Sequence, residues 1–294
     1  MTNPSPLAKA FMEQGKSEAC PVIDMHGHFG PFQGIYFPNI TAEAMIGTMD
    51  RAGVRMVVCS HHAALVEPPR GNPQMAEVVA RYPDRFRAYW ALNPNYPDRM
   101  KREVEAYPDW NRDRKTFVGF KFLSDYHKVP ITDDRYKPAL EYAQAHRMMI
   151  LMHTWGDSAY DGPALVEEIA QRYPEVTFLM GHSGYGEWDR AIGVAREYKN
   201  VYLELTAAYH VNGIIARMVR EAGSHKILFG TDLPWFDPHY GIGCVVCAKI
   251  ADEDRHNILH RNAERLLRAQ GVEVDSETNH EIHEIHERNI PGSS

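Results

Sequence analysis

Compact apolar runs recur along the chain at 22–28, 55–60, 86–92, 117–122, 148–153, 176–182, 201–206 and 227–232, each followed by a polar or amphipathic stretch. Short runs of this kind are those of strands covered on both faces in a parallel sheet. The first intervening stretch reads as a helix: Thr41 is a suitable N-cap, Ala44, Met45, Thr48 and Met49 fall at helical spacing, and Gly53 stops it. The same reading predicts helices over 73–82, 97–110, 134–146, 162–173, 188–198, 213–222 and 252–269. Strands alternating with helices predict parallel pairing with helical crossovers. Eight such units without a dividing Pro/Ser/Gly linker fit a single (β/α)8 TIM-type barrel over 21–270 better than two doubly wound domains. An N-terminal extension (1–20) and a polar C-terminal tail (271–294) would flank it.

Composition narrows the class of partner. Of 294 residues, 44% are hydrophobic and 24% charged, ample for a globular core. The net charge of −7, with no long basic run, argues against nucleic acid and anionic membranes as partners. No apolar stretch is long enough to span a bilayer, and the N-terminus lacks the features of a signal peptide. Four cysteines make no disulfide framework, which suits a cytoplasmic location. A small-molecule substrate is the expected partner.

The ends of the predicted strands carry the chemistry. The first ends in His26 and His28, whose i, i+2 spacing on a strand points them to one face. The fourth carries Lys121, the fifth His153, the sixth His182 and the eighth Asp232. Barrel enzymes build their sites at the C-terminal strand ends, so these six groups would converge there. Each alone has a bland reading as a loop or turn residue; together they do not. Three neutral imidazoles and a carboxylate suit zinc, or manganese or iron. A bound ion would lower the pKa of its water towards about 7. Asp232 could take a proton from that water, and His182 could stabilise developing charge or transfer a proton. Lys121 could pair with a substrate carboxylate, be carboxylated and bridge two ions, or simply close a structural ion pair.

In combination, Asp24-x-His26-x-His28, Gly119-Phe120-Lys121, Met152-His153-Thr154, Gly181-His182-Ser183-Gly184 and Gly230-Thr231-Asp232-Leu233-Pro234 resemble the amidohydrolase superfamily. The segment 257–267 resembles the closing helix of its amidohydrolase-related branch, which includes aminocarboxymuconate-semialdehyde decarboxylase, aromatic-acid decarboxylases and lactonases. The resemblance implies His26, His28, His153 and Asp232 as metal ligands and His182 as a catalytic or second-metal residue. It makes Lys121 the position that is a carboxylated bridge in two-metal members, favours one ion with two possible, and makes a homodimer the expected assembly.

Residues after other strands could touch substrate: His61, His62 and Arg70, then Trp155, Tyr185 and Trp235 with Phe236. Glu204, ending an apolar strand, would need a partner and is a candidate supporting residue. Cys244 and Cys247 form a lone C-x-x-C that packing explains, and the spacing of His280, His283 and His286 would group them on one face of a solvated or oligomer-contacting tail. The first expectation for activity is hydrolysis of a lactone, ester or amide by metal-bound hydroxide. The alternative is non-oxidative decarboxylation of an unsaturated or aromatic acid, and a third reading is an inactive ligand-binding barrel.

Overall fold

The computed structural model describes residues 5–112 and 115–274. Eight strands lie parallel and in sequential order: β1 (Val22–Phe29), β2 (Val54–His61), β3 (Phe86–Ala91), β4 (Phe117–Phe122), β5 (Met149–Trp155), β6 (Thr177–Tyr185), β7 (Val201–Glu204) and β8 (Ile227–Leu228). The segment after β8 closes the sheet onto β1. Met25 N–H donates to Phe229 O at 2.9 Å, Asp232 N–H to His26 O at 2.7 Å and His28 N–H to Leu233 O at 2.7 Å. The protein is a single (β/α)8 TIM barrel, as its alternation of strand and helix patterns predicts. β8 is shorter than its apolar run because residues beyond Leu228 bond to β1 and leave the ladder with β7.

Strand residues sort into two layers. Ile23, Met25, Met56, Val58, Tyr89, Met149, Leu151, Leu179 and Leu228 fill the barrel interior. Their alternates, such as Val57, Cys59, Ile150, Met152, Phe178 and Met180, face the helices. Fully burying one such side chain contributes about 1.5–3 kcal/mol. At the N-terminal end, Ala263, Leu266 and Leu267 of helix Asn262–Ala269 join the interior cluster and plug the barrel floor. The opposite end, where the strands finish, stays open.

The helix at Ala42–Ala52 forms as expected, with Thr41 Oγ1 accepting from Ala44 N–H and Gly53 left-handed at its end. The short helices His62–Val66 and Ser124–His127 are absent from the sequence reading, and three longer ones depart from it. Pro6–Gln14, capped by Ser5, lies within the extension. The helix expected from Pro73 begins at Pro68 and carries Pro73 within its first turns. Pro238–Cys247 turns the lone C-x-x-C into a helix in which Cys244 is half-buried against the core and Cys247 is exposed, so packing explains Cys244 alone. The histidines of the polar tail lie outside the described residues. Among the described residues no helix is long and apolar enough to cross a membrane.

Candidate active site at the barrel mouth

Backbone irregularities aim the key side chains. Ile23 and Met25 face the interior, so simple alternation would send His26 and His28 outward; the register shift between Asp24 and Gly27 turns both into the barrel. Buried Asp24 holds this bend by accepting from His26 N–H at 3.0 Å and from Thr231 N–H at 3.1 Å, and also from the Thr231 hydroxyl. Burial raises its carboxyl to about 7. On β6, Leu179 faces inward and alternation would turn His182 outward. Instead His182 (φ 64°) and Ser183 (φ 53°) adopt the left-handed region, which swings the imidazole into the mouth. Asp232 is left-handed as well, at φ 58°. Such conformations in non-glycine residues cost of order 1–3 kcal/mol and cluster at functional sites.

Two glycines make room. A Cβ on Gly230 would lie 2.2 Å from Glu204 Oε1 and 2.8 Å from His26 Cβ; one on Gly181 would lie 2.5 Å from Met152 O.

The polar groups then converge. Asp232 Oδ1 lies 3.0 Å from His26 Nε2 and 3.3 Å from His28 Nε2, and Asp232 Oδ2 lies 3.9 Å from His182 Nε2. One donor atom each from His26, His182 and Asp232 falls within 4.8 Å of the others, a grouping that fits a metal ion. Buried Asp232 Oδ1 thus faces the Nε2 atoms of two imidazoles, and buried His182 Nδ1 has no hydrogen-bond partner. Donor atoms gathered in this way are what a cation would satisfy. His28 joins through Asp232, with its Nδ1 3.2 Å from Ser60 Oγ. His153 stands on the far side of His182, ring centroids 4.8 Å apart, its Nδ1 3.0 Å from Asp161 Oδ2.

Glu204 lies beneath His26, fully buried. Its Oε2 accepts from His26 Nδ1–H at 2.7 Å and from His182 N–H at 3.3 Å; its Oε1 accepts from Thr206 N–H at 2.7 Å and the Thr206 hydroxyl at 2.6 Å. This fixes the His26 tautomer with Nε2 free towards the cavity. Lys121 Nζ lies 2.7 Å from that same Nε2. Two cations at this distance in a buried site repel strongly, so the pair carries one positive charge. Burial pulls Lys121 down to about 8. Burial also opposes a charge on His26, but Asp232 and Glu204 hold it above the ordinary imidazole range. Burial keeps His28 down, at about 3, and His182 well below its usual value. Asp232 is held well below the carboxylate range by His26 and His182, against burial.

These groups floor a cavity of about 280 Å³ walled by Phe32, His62, Leu65, Leu123, Tyr126, Trp155, Trp235 and Phe236. His62 takes its place through Trp235 Nε1–H, which donates to its Nε2 at 3.0 Å, and through Gly30 O, 2.6 Å from its Nδ1. Three expected contacts do not line the cavity. His61 alternates to the other side of β2, where its Nδ1 accepts from Ala63 N–H at 3.0 Å. Arg70 is exposed on its helix. Tyr185 stacks behind Trp155, centroids 4.6 Å apart. Phe32, Leu65, Leu123 and Tyr126, and Asp161 behind His153, were not singled out by the sequence. The apolar walls carry no signal outside the fold, whereas His62 is distinguishable from His61 by parity with Met56 and Val58.

The amidohydrolase family model matches residues 23–269, from the second residue of β1 through the other seven strands and the plugging helix. The chain belongs to this family. Over 282 residues this amidohydrolase is 25% identical to a gamma-resorcylate decarboxylase of Polaromonas sp. (strain JS666 / ATCC BAA-500), across 75% of its own length and 85% of the relative's. Its fold superposes on a dihydroxybenzoic acid decarboxylase from Polaromonas sp. JS666, solved with manganese and 2-nitroresorcinol (TM-score 0.70, 19% identity, 85% and 97% of the two chains). It also superposes on a 5-carboxyvanillate decarboxylase from Sphingomonas paucimobilis (TM-score 0.68, 15% identity, 85% and 98%). The protein is an enzyme of the amidohydrolase superfamily. Hydrolysis as its first expected reaction is overturned: the relative matched in sequence is a decarboxylase, and both superposed folds bear that name.

Proposed function

We propose that the enzyme is a divalent-metal-dependent, non-oxidative decarboxylase of a small hydroxylated aromatic carboxylic acid. The observation that carries this reading is the cavity: a His26–His182–Asp232 donor cluster at the floor of a small aromatic chamber. At about 280 Å³ it falls just below the about 300–1,000 Å³ typical of drug-sized ligands, a volume suited to one ring with short substituents. The decarboxylase relative supports the reaction type. His26, His182 and Asp232 would hold the ion, with His28 and His153 beside them; manganese, as in the Polaromonas structure, is favoured over zinc. The ion supplies an electrostatic hold on the acid's oxygens.

The chain's own groups then do the rest. Trp155 and Trp235 present indole surface to the ring, and the apolar wall excludes water. Asp232, facing the cavity beside His182, would relay to the ring a proton taken from the substrate's hydroxyl or from solvent. That proton forms a C–H bond at the carbon bearing the carboxylate. The C–C bond then breaks, its electron pair returns to the ring, and CO₂ leaves. Lys121 keeps positive charge under the substrate, and Glu204 holds His26 in register.

A panel of ortho-hydroxylated benzoates and lactones, incubated with manganese-loaded protein, tests this. CO₂ release from a benzoate, abolished in His26→Ala, supports the assignment. Acid release from a lactone without any CO₂ from the aromatic acids refutes it.

A further inference from the structure

At the floor of the barrel, remote from the mouth, Cys20 precedes β1 and packs against the segment that closes the fold. Its thiol is buried, 1% exposed, and its Sγ lies 3.3 Å from His256 Nδ1. His256 Nδ1 lies 3.0 Å from His260 Nε2, and one donor atom of each of the three residues falls within 4.8 Å of the others. The two histidines stand one helical turn apart, His256 ending a helix and His260 within the π turn Asn257–Arg261. Such turns occur often where a function has imposed an extra residue on a helix.

Nothing in the proposed reaction uses these groups. We propose that Cys20, His256 and His260 form a second metal site, a zinc-class centre of one thiolate and two imidazoles that ties the start of β1 to the closing segment. The ligand types fit: thiolate and imidazole are the donors zinc prefers. The spacing fits as well. Bond lengths of about 2.3 Å to sulfur and about 2.0–2.1 Å to nitrogen give tetrahedral edges of about 3.6 Å between S and N and about 3.3 Å between two N atoms. The observed 3.3 Å and 3.0 Å are the same edges drawn slightly inward.

The supporting shell points the same way. His260 Nδ1–H donates to Glu264 Oε1 at 2.8 Å, which leaves Nε2 unprotonated and aimed at the cluster. A carboxylate behind a ligating histidine is the recurrent second layer of zinc sites. His256 is half-exposed, so the ion has a path in and a fourth position for solvent. Without an ion, burial pushes the Cys20 thiol up to about 12, and its weak contacts are His256 Nδ1 at 3.3 Å and Pro21 O at 3.5 Å. Binding would expel that proton. Because the N-terminal face of such barrels serves stability and not chemistry, the site would staple the fold.

Cobalt(II), loaded alone, distinguishes this centre from the mouth, whose lining contains no cysteine. Full-length protein is expected to show a thiolate-to-cobalt charge-transfer band, and zinc-loaded protein one more metal equivalent than Cys20→Ser. His256→Asn, at a half-exposed position, is expected to lose the same band and equivalent, and serves if Cys20→Ser does not fold. A wild-type protein without the band overturns the site, as does a band and zinc content unchanged in both variants. In either case the cluster is a hydrogen-bond chain from Cys20 to Glu264.

Discussion

Glu204→Gln is nearly isosteric, yet the structure predicts a large loss of metal affinity. Each Glu204 oxygen accepts two hydrogen bonds, and each pair includes a backbone N–H that cannot reverse. Glutamine has one acceptor oxygen, so its amide nitrogen must confront one pair. The shorter bonds from Thr206 favour keeping oxygen there, which turns the nitrogen towards His26 Nδ1 and His182 N–H. His26 then satisfies the amide by moving its proton to Nε2, the nitrogen that faces Asp232, and this removes the lone pair an ion would use. Loss of such a supporting carboxylate weakens metal binding about 10–100-fold. That is roughly 1.4–2.7 kcal/mol at about 1.4 kcal/mol per tenfold. The stranded His182 N–H costs about 1–3 kcal/mol in the metal-free fold. At about 2–4 °C per kcal/mol, a loss of about 2 kcal/mol lowers Tm by roughly 4–8 °C. Manganese titration by calorimetry and melts of metal-free protein measure both effects. A variant that binds manganese within about threefold of wild type, against the expected 10–100-fold, would show that Glu204 does not set the His26 tautomer.

The same site yields three further expected outcomes. Gly230→Ala would drive a methyl into Glu204 and His26, whose nearest atoms lie 2.2 and 2.8 Å away, and is expected to cost metal binding and several degrees of Tm in a thermal melt. Metal affinity should rise with pH through neutrality: the ion needs the His26 lone pair, and the proton shared by His26 and Lys121 competes for it below the raised His26 pKa. Titrations at three pH values read this directly, and a flat profile would contradict it. Trp155→Ala removes stacking of about 0.5–1.5 kcal/mol, so KM for an aromatic acid should rise roughly 2–10-fold with a smaller change in kcat.

Much of this site was legible in the sequence because strand ends in a barrel converge by topology. His26, His28, Lys121, His153, His182 and Asp232 all line the cavity, and Glu204 accepts hydrogen bonds from His26 and from His182 N–H beneath it. What sequence periodicity could not supply was aim. His182 faces inward through a left-handed turn and His26 through a register shift, both against simple alternation. His61 and His62 were inseparable until β2 had a known inner face. The helix Pro238–Cys247 was hidden by a proline, two glycines and an unbroken apolar run. The one at Pro6–Gln14 had readable caps in Ser5, Pro6 and Gly15. The Cys20–His256–His260 cluster joins residues 236 positions apart between Cys20 and His256, so no local pattern announces it.

The central claim is that the mouth of this barrel replaces a carboxylate on an aromatic ring with a proton. Turnover of an ortho-hydroxylated benzoate by manganese-loaded protein in D₂O, followed by mass spectrometry of the phenolic product, tests it most directly. CO₂ and phenol are expected in equal amounts, with a single deuterium on the ring carbon that carried the carboxylate. Intact acid across the panel, or a product formed without CO₂ and without ring deuterium, would contradict it.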